Sequence, residues 1–164
     1  MRFFARWKDE AGSQVVEFGL VLLPMMAFVF LIMDVAWVCF AQASLQHAVQ
    51  VGVRAAVVNP VPKSGGQDAY LKTIVQQNAM GFLAGKEGLD SITINYYTPS
   101  NLTTAIPPKN GGNSGGNVIE IVVNNVPVSS LGPILRESSA KLYLHASSSD
   151  VMEGSPPGST APTR

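Results

Sequence analysis

The sequence predicts an α+β fold: one very long N-terminal helix, its first part able to span a membrane, with a rod beyond it packed against a small antiparallel sheet and a second helix. Three observations predict it. From Phe18 to Ala41 the chain is apolar with a single charge, Asp34. Past Ala41, Leu45, Val49, Val53 and Ala56 recur at spacings of 4, 4 and 3, which keeps them on one helical face. After residue 90 the period changes to two, and short alternating segments are separated by Gly, Pro, Asn and Ser.

The apolar run extends about 36 Å at about 1.5 Å per residue, enough to cross a hydrocarbon core of about 30 Å with some tilt. A cleaved secretory signal would have an apolar core of about 7–15 residues, so this run reads as a retained anchor. Arg2, Arg6 and Lys8 precede it, whereas the first cation after it is Arg54. Basic residues stay on the cytoplasmic side, so the N-terminus is expected inside and the C-terminal bulk outside. Trp7 and Trp37 fit the two interfaces of such a span, or packing contacts. Pro24 lies inside it, where a membrane helix tolerates proline and a bend near Leu20 to Pro24 is expected. The helix should run from about residue 13 to 58, ending at Asn59 and Pro60 because the residue before proline disfavours helix.

A turn-rich linker, Pro60 to Gly66, leads to a second helix over about Gln67 to Ala84, with Gly85 as its stop. Strands are expected over Ser91–Tyr97, Asn117–Val126 (closed by Pro127) and Ser139–Ser147. Thr98 to Gly116 reads as an exposed loop with nothing to build a core, and Leu131 to Leu135 as one helical turn. The expected organisation is a cytoplasmic leader over 1–12, the long helix over 13–58 with its span at about 18–41, an extracytoplasmic α+β domain over 60–150, and a disordered tail over 153–164.

Composition excludes several functions. Eleven basic residues balance 11 acidic ones, so there is no one-sided positive surface for nucleic acid. Charged residues are 13% of the chain, about half the share usual in soluble domains, which implies shielding by lipid or neighbouring subunits. His47 and His145 stand in no catalytic motif, and with one cysteine, Cys39, they have no zinc-ligand spacing. The GGNSGG run has no following Lys-Ser/Thr and is not a phosphate loop. Asn101-Leu102-Thr103 matches the glycosylation triplet, a common chance match. Met25, Met26 and Met33 read as packing residues rather than metal or redox groups. No catalytic residue, metal, cofactor or small-molecule substrate is expected.

The remaining oddity is Glu17, a carboxylate at the mouth of the apolar helix, where an unpaired charge carried to mid-membrane costs about 2–3 kcal/mol. It should have a partner. A cut between Gly12 and Ser13 would create an α-amine of pKa about 8 one helical turn away, able to neutralise the Glu17 of a neighbouring, staggered helix. The plainer alternative is a boundary carboxylate facing headgroups. Asp34, near the outer end of the run, suits either solvation there or a helix–helix contact.

A short basic leader ending in Gly12, four residues Ser13 to Val16, then Glu17-Phe18 and an apolar span resembles the class III signal of type IV pilin-like proteins. More narrowly, EFGLVLLP, Asp34, Gln42, Leu45, Ala48, Gly52 and Arg54 resemble the TadE-like family of minor pseudopilins of the tight adherence (Tad/Flp) pilus, over roughly Gly12 to Val58. Trp37 stands where the family has arginine, and Gly19 where it has alanine. The resemblance implies a pilin-like fold and cleavage by a prepilin peptidase that recognises Gly12, Ser13, Glu17 and Phe18. It implies helix–helix assembly through Glu17, Pro24 and Asp34. The partners implied are the membrane, other pilin-like subunits and the inner-membrane assembly platform, with the protein single-pass in the bacterial inner membrane. Whether it enters the filament is left open. The competing expectation is an uncleaved, signal-anchored binding module using the 98–116 loop.

Overall fold

The computed structural model describes residues 6–58, 66–107, 110–112, 114–129 and 141–153, with side chains from Gly12 onward. Its elements are α1 (Arg6–Val58), α2 (Gln67–Asn78), α3 (Gly85–Asp90), β1 (Ile92–Tyr97), β2 (Val118–Val128) and β3 (Leu142–Val151). The fold is α+β, as the sequence predicts. Two compact units divide it: one holds α1 as far as Val38, and the other begins at Cys39.

In the first unit α1 starts at Arg6, before the expected residue 13, and runs on through Pro24. Arg6, Lys8, Glu10 and Ala11 are good helix formers, and Gly12, at a cost of about 1 kcal/mol, is too weak a breaker to stop them. The large apolar side chains from Val15 to Val35 are mostly exposed, and this is the one helix among the described residues long and apolar enough to cross a membrane.

The second unit has its own core. From α1 come Ala41, Leu45, Ala48, Val49, Val53 and Ala56, all buried at helical spacing. They meet Leu71, Val75 and Ala79 of the α2 region and the inner face of the sheet: Ile92, Tyr96, Ile119, Ile121, Val123, Leu144 and Ala146. Gly52 lets these layers approach, since a Cβ there would overlap the Val75 methyl and lie 3.2 Å from Ile121 Cδ1. The buried Tyr96 donates its hydroxyl to Asp68 Oδ1 at 2.6 Å, tying β1 to the first turn of α2.

The sheet is antiparallel with order β1-β2-β3. Its central strand departs from expectation in an instructive way. Pro127 does not close β2 but lies within it, opposite Tyr143. The pairing with β1 stops at Val123, so at Pro127 β2 is locally an edge, where a missing N–H is tolerated. Between Val123 and Val126 the register slips, and Asn125 takes φ 57. One extra residue is therefore accommodated as a bulge, which turns Val126 and Val128 inward where strict alternation would have faced Asn125 to the core.

Three further boundaries differ. The second helix ends at Asn78, before the expected Ala84; Met80 (φ 50) and Gly81 (φ 89) then turn the chain, and Gly85 opens α3 instead of ending α2. β3 runs to Val151, past the expected Ser147. The loop after β1 is not detached: Ile106 N donates to Tyr96 O at 2.7 Å, and Gly112 is buried against that turn and Tyr96. The expected turn over 131–135, most of the linker over 60–66 and the tail past residue 153 lie outside the described residues.

Candidate processing and assembly site

Gly12, Ser13, Glu17 and Phe18 fall in one exposed stretch of α1. The i,i+4 geometry of a helix stacks residue 17 over residue 13, and the Ser13 hydroxyl donates to Glu17 Oε1 at 3.3 Å. The carboxylate thus already sits beside the residue whose nitrogen the expected cut would free. Space around Gly12 is open, with nothing within 4 Å of the place a Cβ would take. Phe18 and the valines before it are exposed, so Glu17 stands beside an exposed apolar surface.

Pro24 is seven residues on, which returns to within about 20° of the Glu17 face. Asp34 is not brought to this site. It lies about 26 Å further along the helix axis and about 100° around it. Its own environment is distinctive: Asp34 is 8% exposed, whereas Met33 and Val35 beside it are more than half exposed. The structure therefore separates a proximal group, Gly12 to Phe18 with Pro24, from a distal buried carboxylate.

The other polar groups offer different chemistry. His47 is exposed, and His145 Nδ1 lies 3.2 Å from Asn124 Oδ1, an amide and not an acid or nucleophile. Among the described residues no three His, Cys, Asp or Glu side chains gather to hold a metal, and Cys39 is exposed. The Asn101 side chain accepts from Thr103 N, Thr103 Oγ1 and Thr104 N, an Asx-type turn at the start of the loop. On the outer sheet face, Tyr97 OH and Asn95 Nδ2 both donate to Glu120 Oε2, at 2.9 and 3.2 Å. The hydrogen bond to Glu120, then burial and the Glu120 charge, raise the Tyr97 phenol above its ordinary value of 10.

Sequence reasoning missed two positioning residues. Gln42 Nε2 donates to His145 O at 2.7 Å and Gln46 Nε2 to Ser147 O at 2.9 Å. Four helical residues rise about 6 Å and two strand residues about 6.7 Å, so the two amides match alternate carbonyls of the β3 edge. The available signal was the i,i+4 repeat of glutamine beside the buried stripe.

Residues 12–54 match the model of the TadE-like protein family, the family that EFGLVLLP, Asp34, Gln42, Leu45, Ala48, Gly52 and Arg54 resemble. No curated protein and no solved structure matches the chain. The family match begins at Gly12 and takes in Glu17, Phe18, Pro24, Asp34, Gln42, Gln46 and Gly52.

Proposed function

We propose, from the TadE-like match over residues 12–54, that this chain is a minor pseudopilin, a structural component of a Tad-type pilus or related secretion apparatus and not an enzyme. It is inserted in the bacterial inner membrane with its N-terminus in the cytoplasm, cut by a prepilin peptidase between Gly12 and Ser13, and held with its α+β unit outside. Its partners are other pilin-like subunits and the inner-membrane platform. The observation that carries this reading is the Ser13–Glu17 contact at the head of an exposed apolar helix.

Peptidases take their substrate backbone extended, so the α1 turn around Gly12 opens in the peptidase, and glycine lowers the cost of opening by about 1 kcal/mol relative to alanine. Water adds across the Gly12–Ser13 bond; Gly12 keeps the carboxylate and Ser13 the amine. That amine has a pKa of about 8 and is largely protonated at pH 7. Glu17 then has a cationic partner available at the same depth, which removes the penalty of an unpaired carboxylate at the membrane mouth. In side-by-side helices the amine of one subunit meets the Glu17 of the next, a pairing that selects an axial stagger.

Replacing Glu17 with alanine in the native host tests this. N-terminal sequencing separates the variant chain that is cut from the chain that is not, and even the cut chain is expected to fail in pilus assembly. Normal assembly by Glu17→Ala would refute the pairing.

A further inference from the structure

Four exposed apolar side chains of the second unit, Phe40, Met80, Leu142 and Tyr143, gather at one end of it. Phe40 (48% exposed) closes the apolar run of α1. The turn between α2 and α3 is seated against it: the Phe40 and Phe82 rings are 6.2 Å apart at 60°, and Ser44 Oγ donates to Met80 Sδ at 3.6 Å. Met80 itself is 68% exposed. The turn is pinned, because Gln76 Nε2 donates to both Leu83 O and Gly85 O, at 2.7 and 3.0 Å.

The start of β3 lies at the same end. β3 runs in the direction of α1, His145 opposite Gln42 and Ser147 opposite Gln46, so Tyr143 and Leu142 lie past the level of Gln42, at the end of this unit where its part of α1 begins, beside Phe40. They are 54% and 49% exposed.

The length of the run fixes what meets this end. The span over residues 18–41 ends at Ala41, where the headgroup layer begins. Phe40 lies at that boundary. An apolar rim carrying a tyrosine is the composition that such a layer favours, with the ring in lipid and the hydroxyl in water.

We propose that this end of the α+β unit, Met80, Phe82, Leu142 and Tyr143 around Phe40, rests in the interfacial layer of the bilayer, so that the unit is held against the membrane as well as tethered to it. The inference rests on the reading of residues 18–41 as a membrane span. Beyond that reading, it assigns lipid as the partner of a surface outside the span.

Single nitroxide labels on the full chain in phosphatidylcholine vesicles test it, in a Cys39→Ser background. Met80→Cys and Tyr143→Cys report on the rim, and both positions are exposed, so the core is spared. Leu31→Cys reports on the span. Leu102→Cys reports on the opposite end, since Tyr97 pairs with Val118 about 17 Å from the Ile92–Val123 pair. Oxygen and a water-soluble nickel chelate serve as collision probes. The expected order of depth is Leu31, then Met80 and Tyr143 at a shallow lipid depth, then Leu102 in water. Met80 and Tyr143 labels as aqueous as Leu102, with Leu31 deep, would overturn the proposal and leave the span standing; an aqueous Leu31 would overturn both.

Discussion

At Gly52, α1 lies close against α2 and β2, and replacing it with alanine gives a prediction of definite sign. In an exposed helix the change stabilises by about 1 kcal/mol. Here the new methyl overlaps Val75 Cγ2 and lies 3.2 Å from Ile121 Cδ1, against an ordinary carbon–carbon separation of about 3.5–4.0 Å. Val75 and Ile121 are both fully buried, so neither can swing aside, and overpacking of this kind costs about 2–3 kcal/mol. The net loss is about 1–2 kcal/mol, a fall of about 4–16 °C in Tm for a unit of this size. Thermal unfolding of the full chain in detergent micelles, followed by near-UV circular dichroism of the buried Tyr96, reads it. In a Val75→Ala background the colliding methyl is gone, and Gly52→Ala becomes neutral or stabilising. A Gly52→Ala protein as stable as its parent, or an undiminished loss in the Val75→Ala background, would refute this packing.

Other consequences are equally direct. Replacing Gln42 and Gln46 together with alanine removes both amide contacts to the β3 edge, at about 1 kcal/mol each, and amide exchange in β3 is expected to quicken ahead of exchange in β1. Asn125 occupies the left-handed region, so Asn125→Ala is expected to cost about 1–2 kcal/mol in denaturant unfolding while Asn125→Gly stays near the parent. Tyr97 has a raised folded-state pKa, so the stability linked to its neutral form is fully present below pH 10, its unfolded value, and is lost as pH rises through the higher folded value. Phenolate absorbance is expected to show a late-titrating tyrosine, and Glu120→Gln to bring its midpoint down.

How much of this was legible depended on whether a feature is periodic. The Leu45, Val49, Val53, Ala56 stripe follows from the repeat length of a helix and is buried as one face, and the strands follow from the change of period after residue 90. What escaped were breaks in those periods. The bulge at Asn124–Asn125 hides Val126 and Val128 from an alternation count, and Pro127 looks like a stop unless β1 is known to have ended. Gly85 looks like a helix stop because the earlier turn is made by Met80, a residue that rarely takes positive φ. In the candidate site, the Ser13–Glu17 contact was readable from spacing alone, since four residues make about one helical turn. Gln42 and Gln46 act on a strand a hundred residues away, and no local pattern announces their acceptors.

The central claim is that the bond between Gly12 and Ser13 is cut and that Glu17 is placed for the amine so formed. Intact-mass and N-terminal sequencing of the chain from native membranes, with and without the prepilin peptidase, tests it most directly. The account predicts Ser13 as the first residue when the peptidase is present and Gly12 still joined to it when the peptidase is absent. A chain that keeps residues 1–12 in peptidase-positive cells would contradict it.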